Sequence, residues 1–216
     1  MIVNFFTEGG YFMYAILGVS IFALACIVEK YYSLAGYFQF DDEFFESINQ
    51  LVRAGDFPRA VAACQRTDHP LCGLFLQIFT YYNQDPNHIE ERAAIEFQKL
   101  VPIIQKRTSY ITMLGNVATL LGLLGTIYGL ITSFSSLNAV SASARAEILS
   151  RGISTAMNTT AFGLMVAIPC VIAYTMLSSE ENSVLQRYEA MINELTHALK
   201  TQKRQEEPRD RELYVG

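Results

Sequence analysis

Three long apolar runs stand out along the chain, separated by shorter amphipathic ones. Between Arg107 and Arg145, and again between Arg151 and Glu180, there is no Asp, Glu, Lys, Arg or His. Each interval is long enough to cross a bilayer, which takes roughly 20 apolar residues. Both are nevertheless dotted with Thr, Ser, Asn and Gly. A helix wrapped only in lipid has little use for hydroxyls, because an unpaired polar group in hydrocarbon costs several kcal/mol. These two segments are therefore built to face something other than lipid. The third run, Tyr11 to Val28, is more uniformly apolar. Tyr11, Phe12 and Tyr14 near one end and Tyr31 and Tyr32 near the other form an interfacial aromatic belt. It reads as a lipid-facing, uncleaved anchor, since no Lys or Arg precedes it and it is long for a signal-peptide core.

Placed on a helix, the segment Tyr110 to Phe134 carries Thr112, Thr119, Thr126 and Ser133 seven residues apart, hence nearly in line, with Asn116 on the same side. Gly115, Ala118, Gly122, Gly125 and Gly129 follow on an adjoining strip, where missing side chains let another backbone come close. The span Ile153 to Leu177 repeats the idea with Thr155, Asn158 and Thr159 on one face, while Thr160 points toward the Ala156 and Leu164 side. Gly163 and Pro169 are further helix-packing positions in this span.

Between the first and second spans the chain reads as helical throughout. Asp41 or Asp42 caps a helix running to about Ala54, which Gly55 stops; Asp56 caps the next, with Pro58 near its first position. After a break at His69 and Pro70, Leu71 to Asn83 is apolar on most faces, and Asn87 caps a helix that continues toward the second span with a kink or break at Pro102. Beyond the third span, Leu185, Tyr188, Ile192, Leu195 and Leu199 form an apolar stripe at helical spacing. The tail from Gln202 is charged, contains Pro208 and is expected to be disordered.

Charge adds orientation. The first ten residues lack Lys and Arg, whereas Lys30, Lys99, Lys106, Arg107 and Arg187 flank the opposite ends of the spans; only Arg145 and Arg151 lie in the short loop. The positive-inside rule then puts the N-terminus outside and the C-terminus in the cytoplasm. A net charge of -5 argues against nucleic acid, and 51% hydrophobic residues in 216 suit three spans and one modest soluble module. Catalytic patterns are missing: His69, His88 and His197 stand in separate segments, and there is no GxSxG, P-loop or HExxH. The chain is thus not expected to be an enzyme, nor to hold a cofactor or metal. Cys26 and Cys170 fall in spans and Cys64 and Cys72 outside them, with no CxxC, and read as free structural thiols.

The run GLLGTIYGLITSF at Gly122 to Phe134, followed by GISTAMNTTAFGLMVAIPCVIAY at Gly152 to Tyr174, resembles the paired signature of the MotA/TolQ/ExbB proton-channel family. The three-span layout is similar to the ExbB and TolQ branch, whereas MotA-type proteins have four spans. The resemblance covers nearly the whole chain, with its motifs in the last two spans. It implies a bacterial inner-membrane ring, in the family a homopentamer, whose second and third spans line a pore. In that pore sit two copies of an ExbD/TolR-like single-span partner, each with an ion-carrying aspartate. Ion flow would drive mechanical work, for example through a TonB-like protein. Thr126 matches the Thr of the family's GLLGT motif and Thr160 that of its third-span motif. Thr119, Thr155, Asn158 and Thr159 are further ion-pathway candidates. Such proteins typically carry a Glu five residues before the third-span Thr, and Thr155 stands there instead. The translocated ion would be H⁺, or Na⁺ held by hydroxyls and carbonyls.

The expected fold class is an all-α integral membrane protein with three transmembrane helices, spans two and three extending into long cytoplasmic helices, and a small helical cytoplasmic domain. The segments are a periplasmic N-terminus (1–10), spans at 11–33, 108–134 and 151–178, a cytoplasmic domain at 34–107, a periplasmic loop at 135–150, a C-terminal helix at 179–201 and a tail at 202–216. Two functions stay open: an ion-conducting motor subunit, or a non-conducting scaffold ring that has lost the ion path.

Overall fold

The computed structural model describes residues 10–85, 88–137 and 142–213, and every regular element among them is a helix. In chain order these are α1 (Tyr11–Tyr32), a π-helical turn (Ser33–Tyr37), α2 (Asp42–Arg53), α3 (Phe57–Arg66), α4 (Pro70–Gln84), α5 (Ile89–Ile104), α6 (Thr108–Ser136) and α7 (Ala142–Leu213). Three helical stretches, Tyr11–Gly36, Ile89–Ser136 and Ala144–Lys203, are long and apolar enough to cross a membrane. The expected all-α, three-span class is therefore the observed one. The chain divides into two compact units, one of Met1–Tyr31 with Arg107–Ser178, the other of Tyr32–Lys106 with Ser179–Gly216.

The first unit joins α1, α6 and the N-terminal part of α7. In α1, Met13, Ile16 and Ala23 are buried while Tyr14, Ile21, Phe22, Leu24 and Val28 face outward, as an apolar outer helix requires. Span two begins sharply. α5 stops at Ile104, two residues past Pro102, and α6 starts only at Thr108, so the break expected at Pro102 falls at 105–107. Arg107 there is left-handed (φ 72°), and its guanidinium pairs with the Glu29 carboxylate. α7 begins at Ala142, where an Ala-, Arg- and Glu-containing run favours helix.

The second unit is the helical module. Asp41 accepts the Glu43 N–H at 3.0 Å and Asp56 accepts that of Arg59 at 3.3 Å, so both expected caps form. Gly55 stops α2 with φ at +77°, a conformation open to glycine. His69 caps α4, its Nδ1 accepting the Leu71 N–H at 3.1 Å. Asn87, expected to cap α5, lies outside the described residues, as do residues 1–9 of the expected N-terminal segment. Phe45, Ile48, Val52, Leu71, Phe75 and Ile78 form the core with Tyr188, Ile192, Leu195 and Leu199 of α7. The helix assigned as α7 extends to Leu213, past Pro208.

Candidate functional site

The site is the crossing of α6 and α7 within the first unit. Its closeness follows from small residues set seven apart on both helices. A Cβ placed on Gly115 would meet Cys170 Cβ at 3.1 Å, on Gly122 the Gly163 Cα at 3.4 Å, and on Gly129 the Ala156 Cβ at 3.1 Å. These pairings advance in opposite directions, so the helices run antiparallel in one unbroken register. Gly163 is the tightest of these positions, with Ala118 O only 2.7 Å from where its Cβ would lie. Gly125 faces the Thr159 methyl and Phe12 of α1, and the Phe12 and Tyr128 rings sit 5.6 Å apart, which docks the first span on the pair. Gly152 closes the far end against Ser133.

Where the backbones come closest, two hydroxyls meet. Thr126 Oγ1 of α6 and Thr160 Oγ1 of α7 are in hydrogen-bonding contact. Both also reach the Gly122 carbonyl, at 3.1 and 3.0 Å, and Thr126 lies 3.5 Å from Ala156 O. The bare Cα of Gly122 is what leaves this carbonyl open to a side chain from another helix. Two hydroxyl protons thus have more acceptors than they can serve at once. If both point at Gly122 O, the two hydroxyl oxygens turn lone pairs toward each other. If one points at the other, a carbonyl lone pair is released. Such a pair can accept from, or order water beside, a group that changes charge, and it does so among residues without formal charge of their own.

The remaining candidates are used differently. Thr119 gives its hydroxyl to Gly115 O at 3.1 Å and Thr159 gives its own to Thr155 O at 2.9 Å, each bond within one helix. Thr159 is 1% exposed and packs on Gly125. Thr155 and Asn158 are half-buried, and Asn116 is exposed. Thr112 Oγ1 is buried with no hydrogen-bond partner among the described residues. α7 runs through Pro169, which is exposed. Of the sequence-derived ion-pathway residues, Thr126 and Thr160 are brought together across helices by a side-chain bond.

Sequence reasoning missed Ala156, Cys170 and the Ser133–Gly152 contact. The signal was present: Ala156, Gly163 and Cys170 recur every seven residues, mirroring Gly115, Gly122 and Gly129. Phe12 had no such signal, since one aromatic in an apolar helix carries no partner information.

The description of the MotA/TolQ/ExbB proton channel family matches residues 66–190, more than half of the chain, taking in α4, α5, α6 and α7 as far as residue 190. No curated protein is similar enough to the chain to count as a match.

Proposed function

This chain belongs to the MotA/TolQ/ExbB proton channel family, and from that premise we propose that it is the ring-forming subunit of an ion-driven motor of the ExbB/TolQ type. The family is an inner-membrane one of channel or motor-type proteins, not a known enzyme family, and its members generally form oligomeric complexes with ExbD/TolR-like partners. In our reading five copies surround two single-span partners in a bacterial inner membrane, with the N-terminus periplasmic. Ion flow between ring and partner then does mechanical work, such as energising TonB-type transport.

The observation that carries this reading is the Thr126–Thr160 contact over the Gly122 carbonyl. A hydroxyl pair with surplus acceptors suits a neighbour whose carboxylate gains and loses a proton. The outward face of the same two helices supports an assembled state. Leu120, Leu123, Ile127 and Ile131 of α6 and Met157, Met165, Ile168 and Ile172 of α7 are all exposed in the single chain, an area to be covered by lipid, further copies or the partner. Thr155, Thr119, Asn158 and Thr159 border the path. With Thr155 where such proteins typically carry a carboxylate, the titrating group must come from the partner.

The test is ion flux into liposomes holding the chain with its co-purified single-span partner, under a proton gradient and then a sodium gradient. Flux that follows one gradient and is lost in Thr126→Val supports the motor and names the ion. An intact complex, unplugged from its partner's resting position, that passes neither ion supports the scaffold alternative.

A further inference from the structure

His69 stands at the start of α4 with both ring nitrogens committed. Its Nδ1 accepts the Leu71 N–H at 3.1 Å, and its Nε2 lies 3.2 Å from the Tyr188 hydroxyl of α7. Tyr188 is 1% exposed and donates its one hydroxyl proton to Phe38 O at 2.7 Å. Toward His69 that oxygen can therefore only accept, so Nε2 carries the ring proton. Nδ1, an acceptor, carries none. Two independent hydrogen bonds thus require the same neutral tautomer. The Phe40 ring packs on the imidazole at 4.7 Å between centroids and the Tyr188 ring at 5.8 Å, which holds it in place. We propose that His69 is a pH-sensitive latch: while neutral it ties the start of α4 to α7 and, through Tyr188, to the chain that enters from α1, and protonation opens it.

The behaviour follows from where a second proton must go. On Nδ1 it would point at the Leu71 N–H, donor against donor, and the cap on α4 would be lost. The positive ring would also lie at a helix N-terminus, the end that disfavours cations. Other ionisable groups on the surrounding elements do not reverse this. The first turn of α4 offers Cys72, and the segment before α2 offers Asp41, which is exposed and caps the Glu43 N–H. On α7, Arg187 pairs with Asp42, Glu189 is exposed, and the buried Glu181 precedes Tyr188 by about 10 Å along the helix. Asp68, next to His69 in the chain, is exposed. Solvent screens the pull of the exposed carboxylates, and the Phe40 face favours a cation only weakly. Neither influence gives the Leu71 N–H a new acceptor.

In the closed latch the ring stays neutral, whereas in the open one it titrates as a free histidine does, near pH 6.5. The open form then binds more protons, so the closed form is fully favoured above about pH 6.5 and loses ground as pH falls below it. Opening frees the Leu71 N–H. It also loosens the hold on Phe38, whose N–H closes the π-helical turn on Ser33 O at 3.3 Å. Acidification around the module is thereby felt in the turn that follows the first span.

Hydrogen exchange of the full chain in detergent, corrected for the intrinsic pH dependence of exchange, reads the latch at residues 71–74 and 33–40. Between about pH 7.5 and about pH 5.5 protection at 71–74 should fall about tenfold, the factor by which a group titrating near 6.5 shifts an opening equilibrium, and 33–40 should follow. His69→Asn, whose side-chain oxygen can cap but takes up no proton in this range, should show no such fall. Nitrogen chemical shifts of the His69 ring in the unaltered chain need no variant to fold. They should show the Nε2–H tautomer at about pH 7.5 and protonation only below about pH 6.5. Equal protection at the two pH values, an equal fall in His69→Asn, or a ring already protonated at about pH 7.5 would overturn the latch. Indifference of residues 33–40 to pH would overturn its tie to Phe38.

Discussion

A threonine bonded to its own helix and a threonine bonded across helices answer differently to losing a hydroxyl. Thr119 spends its hydrogen bond on Gly115 O, so Thr119→Val removes a bond that the helix does not need. Thr126 and Thr160 share theirs with each other and with Gly122 O. Valine at either position leaves the remaining hydroxyl its bond to Gly122 O but removes the hydroxyl–hydroxyl bond and the surplus acceptor, a loss of about 0.5–1.5 kcal/mol for one hydrogen bond. We expect Thr126→Val and Thr160→Val each to cut ion flux roughly tenfold or more, the factor that about 1.4 kcal/mol commands. Serine at either site should retain most of it, and Thr119→Val should change flux little. Proteoliposome flux, with helical content checked by circular dichroism, separates these outcomes; equal losses for all three valines would refute the special standing of the pair.

Among the elements, the antiparallel crossing of α6 and α7 depends on missing side chains. In Gly163→Ala the new methyl would lie 2.7 Å from a backbone oxygen, which cannot move aside without shifting α6. The helices must separate, at a cost of about 1–3 kcal/mol. The same change at Gly18, where a Cβ meets nothing within 4 Å, should be neutral or slightly stabilising because alanine favours helix. Thermal denaturation in detergent should rank Gly163→Ala well below Gly18→Ala. At the α2–α3 elbow, Asp56→Ala removes the cap on Arg59 N–H and should cost about 1 kcal/mol. Gly55→Ala forces an L side chain to φ +77° and should cost about 1–2 kcal/mol.

For the whole molecule, the module depends on contacts that join residues far apart in the chain. Asn49 of α2, fully buried, donates to Glu194 of α7 at 2.6 Å, and Arg53 pairs with the same carboxylate at 3.1 Å. Arg187 pairs with Asp42, which raises the Arg187 pKa, and Lys200 reaches Glu90 at 2.6 Å. These are not equal. Arg53 is well exposed, so Arg53→Ala should cost under about 1 kcal/mol. Glu194→Ala strands the buried Asn49 amide as well and should cost about 1–3 kcal/mol more. Urea denaturation of the two variants decides the order, and a larger loss for Arg53→Ala would contradict it.

Much of this was legible in the sequence for local reasons. The three spans are set by run length and the absence of charge, and the breaks by Gly55, Pro58, His69, Pro70 and Pro102, because each acts within its own turn of backbone. The stripe on α7 was visible because helical periodicity is a property of one element. The candidate site was only partly legible. Sequence spacing put Thr126 and Thr160 on helices with small-residue strips, yet it grouped Thr119 and Thr159 with them, since all four are threonines on polar faces. Only the tertiary register, in which Gly122 lies against Thr160 and Gly163, decides which hydroxyls leave their own helix and meet.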